Sequence, residues 1–113
     1  MRGINTLPAR IRAKIDVTPA GCWEWTAGVK DTGYGVAWYD GTFWQAHRLV
    51  FTLVGGLIPD GHDVDHECHN RDKTCVGGWT CRHRRCVRPS HLRPRTRRDN
   101  LRRGRGSKKK VAP

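Results

Sequence analysis

No apolar run in these 113 residues approaches the roughly 20 needed to span a bilayer. The longest, residues 49 to 58, is interrupted by Thr52 and by Gly55-Gly56. This predicts a soluble chain with no membrane partner. Apolar residues are also few, at 36% of the chain, enough for one domain with a small core. Such a core needs a staple. Disulfides would serve, but five cysteines is an odd count, no signal peptide precedes them, and they are interleaved with histidines. These features favour metal over a secreted disulfide framework and predict a reducing, cytoplasmic compartment.

Acidic residues are nearly missing from one end. Residues 82 to 113 hold 14 Lys/Arg against the single acid Asp99, a net charge of +13, whereas residues 1 to 81 hold 8 against 9, a net charge of −1. A polycation confined to one end predicts a polyanionic partner, above all nucleic acid, because each neutralised phosphate releases condensed counterions. A membrane surface fits less well, since the basic segment has no apolar face of the kind an interfacial helix buries.

Residues 1 to 20, with Arg2, Arg10, Arg12 and Lys14 around Leu7-Pro8, read as a loosely structured basic arm with one short helical turn at residues 9 to 15. From Cys22 the texture changes to short aromatic runs, Cys22-Trp23-Glu24-Trp25-Thr26, then residues 33 to 39, then Thr42-Phe43-Trp44. Aromatic and β-branched residues suit a pleated surface, and Asp40-Gly41 is a two-residue hairpin signal, so antiparallel hairpins are expected. The tryptophans are assigned to the core and not to base stacking, because large rings bury much area. Residues 46 to 54 switch to helical period, with Ala46, Leu49, Val50, Leu53 and Val54 on one face and Gly55-Gly56 as the stop. His47 and Arg48 in its first turn are either a solvated edge or a phosphate contact.

Beyond that helix, residues 64 to 66 read as a short strand, residues 70 to 85 as an ordered loop without periodicity, and residues 92 to 94 as extended. Thr96 followed by Asp99 resembles a capping box and starts a helix at about Arg97 that runs to Arg103. Residues 104 to 113 read as a disordered basic tail.

The chemistry is concentrated in residues 64 to 100: Asp65-His66, Cys68-His69-Asn70, Cys86, Pro89, His91-Leu92 and Asn100. In that order and spacing these residues resemble the HNH endonucleases of the ββα-metal, or His-Me finger, superfamily, and particularly its zinc-containing branch of phage HNH proteins and His-Cys box homing endonucleases. The resemblance implies an α+β fold. A small zinc-stapled ββα-metal finger would span residues 62 to 103, inside a nuclease domain of residues 21 to 103, preceded by short antiparallel hairpins and one core helix. It also implies cleavage of double-stranded DNA to 5′-phosphate and 3′-hydroxyl ends, in the cytoplasm of a phage-infected host or a similar compartment.

The same resemblance assigns roles. His66 becomes the general base that takes a proton from the attacking water, a task suited to neutral imidazole whose other ring nitrogen is fixed by a carbonyl. Asp65 and Asn100 hold one hard divalent cation, Mg²⁺ or Mn²⁺, through oxygen. Cys68, Cys86 and His91 fall at structural zinc positions, with Cys22 as the upstream fourth ligand. Cys75 and Cys81 lie in an insertion that the family pattern does not need. With His69 and His83 they form a second zinc site, a reduced pair or a labile disulfide. Arg48, Arg93, Arg95, Arg97 and Arg98 are the expected phosphate contacts. A homing role and a packaging-associated role both fit, and a chain this short would use a second copy or a phage packaging partner to make two cuts. The alternative from another class is a non-catalytic zinc-containing nucleic-acid-binding module, which leaves the joint presence of Asp65, His66 and Asn100 without a reason.

Overall fold

Asp40 and Gly41 both adopt positive φ, 51° and 79°, so the strands on either side close into a two-residue hairpin. The computed structural model describes residues 3–78 and 80–99. In it β3 (Val36–Tyr39) and β4 (Thr42–Gln45) pair antiparallel with Tyr39 opposite Thr42. Upstream, β1 (Ile15–Val17) pairs with β2 (Trp23–Trp25), Ile15 opposite Trp25. Downstream, β5 (His62–His66) pairs with β6 (Leu92–Thr96), His66 opposite Leu92. Among the described residues the fold is α+β, built on three separate two-stranded sheets. No described helix is long and apolar enough to cross a membrane.

A lone two-stranded sheet is marginal in water, so each needs a cover. α2 (Ala46–Leu53) supplies it, because its period puts Ala46, Leu49 and Val50 into one cluster and Phe51 into another. The larger cluster joins Trp25, Ala37, Val54 and Val87 to Leu7, Ile11 and Ile15; the smaller one sets Phe51 against Val64 and Leu92. The basic arm is therefore not loose as the sequence suggests. Residues 4–6 form a 3-10 turn, α1 (Ala9–Arg12) follows, and Leu7, Ile11 and Ile15 are buried. Their spacing of four seats one apolar row on the core while the arginines point away.

The tryptophans divide. Trp25 is fully buried and Trp23 and Trp44 pack on the core, as expected, but Trp38 is 56% exposed and Phe43 opposite it is 71% exposed. Register explains this, since Ala37 takes the inward position on β3 and its neighbour Trp38 must face out.

Gly35, just before β3, packs closely against Trp25 of β2 and Ala46 of α2. A Cβ there would stand 2.6 Å from Trp25 Cδ1 and 3.1 Å from Ala46 Cβ. Gly35→Ala is thus expected to cost about 1–3 kcal/mol by overpacking, read as a fall of several degrees in the thermal midpoint. An unchanged midpoint would show that the Trp25 ring yields freely.

The β5–β6 pair is interrupted by residues 67–91, which carry α3 (Glu67–Arg71) and 3-10 turns at Arg82–Arg85 and Pro89–His91. After β6 the backbone turns helical at residues 97–99, and the Asp99 N–H donates to Thr96 Oγ1 at 3.1 Å, the cap that the sequence predicts. β5, β6 and this helix start follow one another as strand, strand and helical turn. Asn100, the helix as far as Arg103, and the tail at 104–113 lie outside the described residues.

Candidate active site and metal centres

Four chain segments build the first cysteine cluster. The turn at residues 18–22, with Gly21 at φ 92° and the Cys22 N–H donating to Thr18 Oγ1, fixes Cys22 just before β2. Cys68 stands in the first turn of α3. Cys86 bridges to Glu24, and the Val87 N–H donates to the Trp23 carbonyl at 2.8 Å, which ties this segment to β2. His91 closes the 3-10 turn that feeds β6. The ligand atoms of Cys22, Cys68, Cys86 and His91 all lie within 4.8 Å of one another. His91 Nδ1 is 3.6 Å from Cys22 Sγ and 3.5 Å from Cys86 Sγ; a tetrahedral zinc with ordinary Zn–S and Zn–N bonds sets that separation at about 3.6 Å.

Protonation in this quartet shows what it needs. The Cys68 thiol is pushed far up by its hydrogen bond to Cys86 and by burial. Burial and the nearby Cys86 raise Cys22 to about 11. Cys86, accepting from Cys68, drops to about 5. Three sulfurs this close cannot all ionise unless a cation sits among them, so the donor set fits zinc.

The insertion carries a second quartet. The ligand atoms of His69, Cys75, Cys81 and His83 also lie within 4.8 Å of one another. Cys81 Sγ is 3.4 Å from Cys75 Sγ, 3.5 Å from His69 Nδ1 and 3.4 Å from His83 Nδ1. The two thiols are free, so the disulfide alternative is not the state seen. On its other side the His83 ring reaches Asp72, Nε2 to Oδ2 at 3.4 Å, the kind of carboxylate contact that orients a ligating histidine. Two Cys/His groups could therefore hold zinc, and all eight residues singled out in the sequence come together as two sets of four.

Between the quartets lies His66, at the end of β5 and 6% exposed. Its Nε2 is 3.0 Å from the Cys86 carbonyl oxygen. That oxygen can only accept, so Nε2 carries the proton and Nδ1 is the basic nitrogen. Burial lowers the imidazole to a pKa of about 4, against the opposing pull of the Cys86 carbonyl and Asp65. The ring is neutral at physiological pH.

His47 and Tyr34 complete the surroundings. His47 is 3% exposed, with its ring centroid 4.6 Å from that of His66 and 5.5 Å from that of Tyr34. It is not the solvated edge that one reading of the sequence allowed, and burial holds it neutral. Its Nδ1 is buried without a hydrogen-bond partner among the described residues. The sequence did not signal this three-ring group, because it depends on α2, the segment before β3 and the end of β5 meeting in space. A pocket opens beside them, lined by Tyr34, Asp65, His66, His69 and Arg84 among others.

Asp65 Oδ2 accepts from Asn70 Nδ2 at 2.8 Å and from Arg95 Nε at 3.0 Å, while Arg95 Nη2 donates to Glu67. Arg95, expected at phosphate, is thus turned onto two carboxylates. Arg48 is likewise drawn in, its Nη1 donating to the His62 carbonyl at 3.2 Å. Arg93, Arg97 and Arg98 are exposed.

The matches to known proteins fall on this region. Residues 45–75 match a family model described as HNH endonuclease. The chain is similar to Protein 7.7 of Escherichia phage T7, 34% identical over 79 residues that cover 70% of this chain and 51% of that protein. It is also similar to Protein 2.8 of the same phage, 35% identical over 66 residues covering 57% and 44%. The chain spans about half the length of these curated relatives. No solved structure matches. The matched stretch, from the end of β4 through His47, His66 and His69 to Cys75, is thus similar to the HNH endonuclease family, and the chain has relatives among phage proteins.

Proposed function

We propose that the protein hydrolyses phosphodiester bonds in double-stranded DNA, with His66 as the general base. The observation that carries this reading is the bond between His66 Nε2 and the Cys86 carbonyl, 3.0 Å, in a side chain that lines a pocket together with Asp65. It fixes the tautomer before substrate arrives, so Nδ1 can take the proton of a water as that water attacks phosphorus. The imidazole's burial keeps it unprotonated for that purpose.

Asp65, with Asn100 as its partner, would hold Mg²⁺ or Mn²⁺, and the ion would neutralise charge growing on the phosphate and the leaving 3′ oxygen. Asp65 suits this because it is already oriented, by Asn70 and Arg95, on a strand beside the base. Arg95 would have to share or release its carboxylate. Cys22, Cys68, Cys86 and His91 would hold one structural zinc, and His69, Cys75, Cys81 and His83 a second. Arg93, Arg97 and Arg98 offer exposed charge for the DNA backbone.

The capture of Asp65 by Arg95 favours a second reading, a silent nucleic-acid-binding module in which the carboxylate is a structural partner. Supercoiled plasmid separates the two. The nuclease should produce nicked circles with Mg²⁺ or Mn²⁺ and none without a divalent ion. Binding without nicking across several divalent ions leaves only the silent module. Mapping the cuts on a genome-length substrate then distinguishes one defined site, as homing requires, from many.

A further inference from the structure

Arg84 carries no motif, yet it lines the same pocket as Asp65 and His66. Its Cζ lies 4.9 Å over the centre of the Tyr34 ring, and its Nη1 donates to the Thr32 carbonyl. Nearby arginines are neutralised, Arg82 by Glu24 and Arg95 by Asp65 and Glu67. Arg84 differs. A neutral carbonyl and an aromatic face hold it, and among the described residues no carboxylate comes within 4 Å of its guanidinium.

A guanidinium has five N–H donors in a rigid fork, and those not used on Thr32 can bind an anion. What fixes it there is the chain on both sides. Arg84 sits in the 3-10 turn Arg82–Arg85, with Cys81 and His83 of the second quartet just before it and Cys86 of the first just after. Among the described residues of the insertion, none before Val87 joins the larger apolar cluster. Among these described residues, the two Cys/His groups and a few polar contacts define its course. His69 and Cys81 also line the pocket, so the second quartet is part of the wall that Arg84 stands on.

We propose that Arg84 engages the phosphate undergoing cleavage, and that the His69–Cys75–Cys81–His83 quartet is a zinc site whose role is to hold Arg84 across the pocket from His66. This rests on the endonuclease reading and extends it. A planar, bidentate donor matches two phosphate oxygens and meets the charge that grows on them as water attacks. Stacked on Tyr34 and bonded to Thr32, the guanidinium need not be ordered at the moment of reaction.

The test compares wild type with Arg84→Ala, Arg84→Lys, Cys75→Ser/Cys81→Ser and His66→Ala. Three quantities are read: single-turnover plasmid nicking, zinc per chain, and plasmid retention without added divalent ion. Arg84→Ala should keep wild-type zinc and thermal midpoint, change plasmid retention little, and nick about 10²–10³-fold more slowly, with Arg84→Lys in between. The double cysteine variant should fold, hold one zinc fewer, and slow as Arg84→Ala does; His83→Ala replaces it if it does not fold. Arg84→Ala nicking within threefold of wild type, or losing zinc, overturns the phosphate role. A cysteine or His83 variant that keeps all its zinc, or that nicks normally with one zinc fewer, overturns the role of the metal. His66→Ala separates the two levels. If it nicks like wild type the endonuclease reading fails, whereas if it is inactive and Arg84→Ala is not, only the present inference fails.

Discussion

His66→Ala is expected to slow plasmid nicking by about 10²–10⁴-fold, the range that a positioned general base contributes, while plasmid retention stays near wild type. The separation of the two effects follows from geometry. His66 is 6% exposed and holds one backbone carbonyl, so it offers little to the DNA surface, whereas the exposed charge lies on Arg93, Arg97 and Arg98. Zinc content must be measured alongside, because the carbonyl it holds belongs to Cys86. Glutamine at the same position can donate to that carbonyl but cannot act as the base, so His66→Gln should keep zinc and remain slow. The pH profile adds a second readout. A base is active when unprotonated, and burial sets this imidazole at about 4, below its ordinary 6.5. The rate should therefore hold through mildly acidic pH and fall only below the usual histidine range. Rapid nicking by both variants, with zinc intact, would remove His66 from the reaction.

The parts of the fold legible in the sequence are those whose cause is local. Asp40-Gly41 needs only its own positive φ, Thr96 caps the helix start three residues away, and the helical period of residues 46–54 coincides with α2 to within a residue. The first Cys/His quartet was legible for a different reason, since its ligand types and order carry the family resemblance even though Cys22 and His91 stand 69 residues apart, whereas the second was legible only as one of three alternatives for Cys75 and Cys81. What could not be read depends on register and docking. Trp38 faces out because Ala37 faces in, and β1 is a strand only because β2 lies beside it. Leu7, Ile11 and Ile15 do repeat every four residues, but Pro8 and the surrounding arginines mask that row. Charge misleads most. Arginine density predicts a polyanion, yet it does not tell Arg84, held by neutral groups, from Arg95, held by two carboxylates.

Removing metal from the first quartet is expected to unfold the domain. Zinc sites of this kind contribute apparent free energies of about 10–16 kcal/mol in small fingers, at least as large as the roughly 5–15 kcal/mol by which a typical domain is stable. The architecture here gives the ion that leverage. None of the three two-stranded sheets is expected to stand alone, and the quartet joins segments that belong to different ones: Cys22 leads into β2, Cys68 follows β5, Cys86 bridges to β2, and His91 leads into β6. Cys86 is completely buried, and its neighbour Val87 is in the larger apolar cluster. Cys86→Ser should lose one zinc per chain and the cooperative thermal transition, as should wild type treated with a strong zinc chelator, with signal recovered on adding zinc back. The second quartet offers the control, since its ligands join α3 to the turn after it within the insertion. Its removal should move the midpoint by only a few degrees. A Cys86→Ser protein that melts cooperatively near the wild-type temperature would mean that the apolar clusters around α2 suffice without the ion.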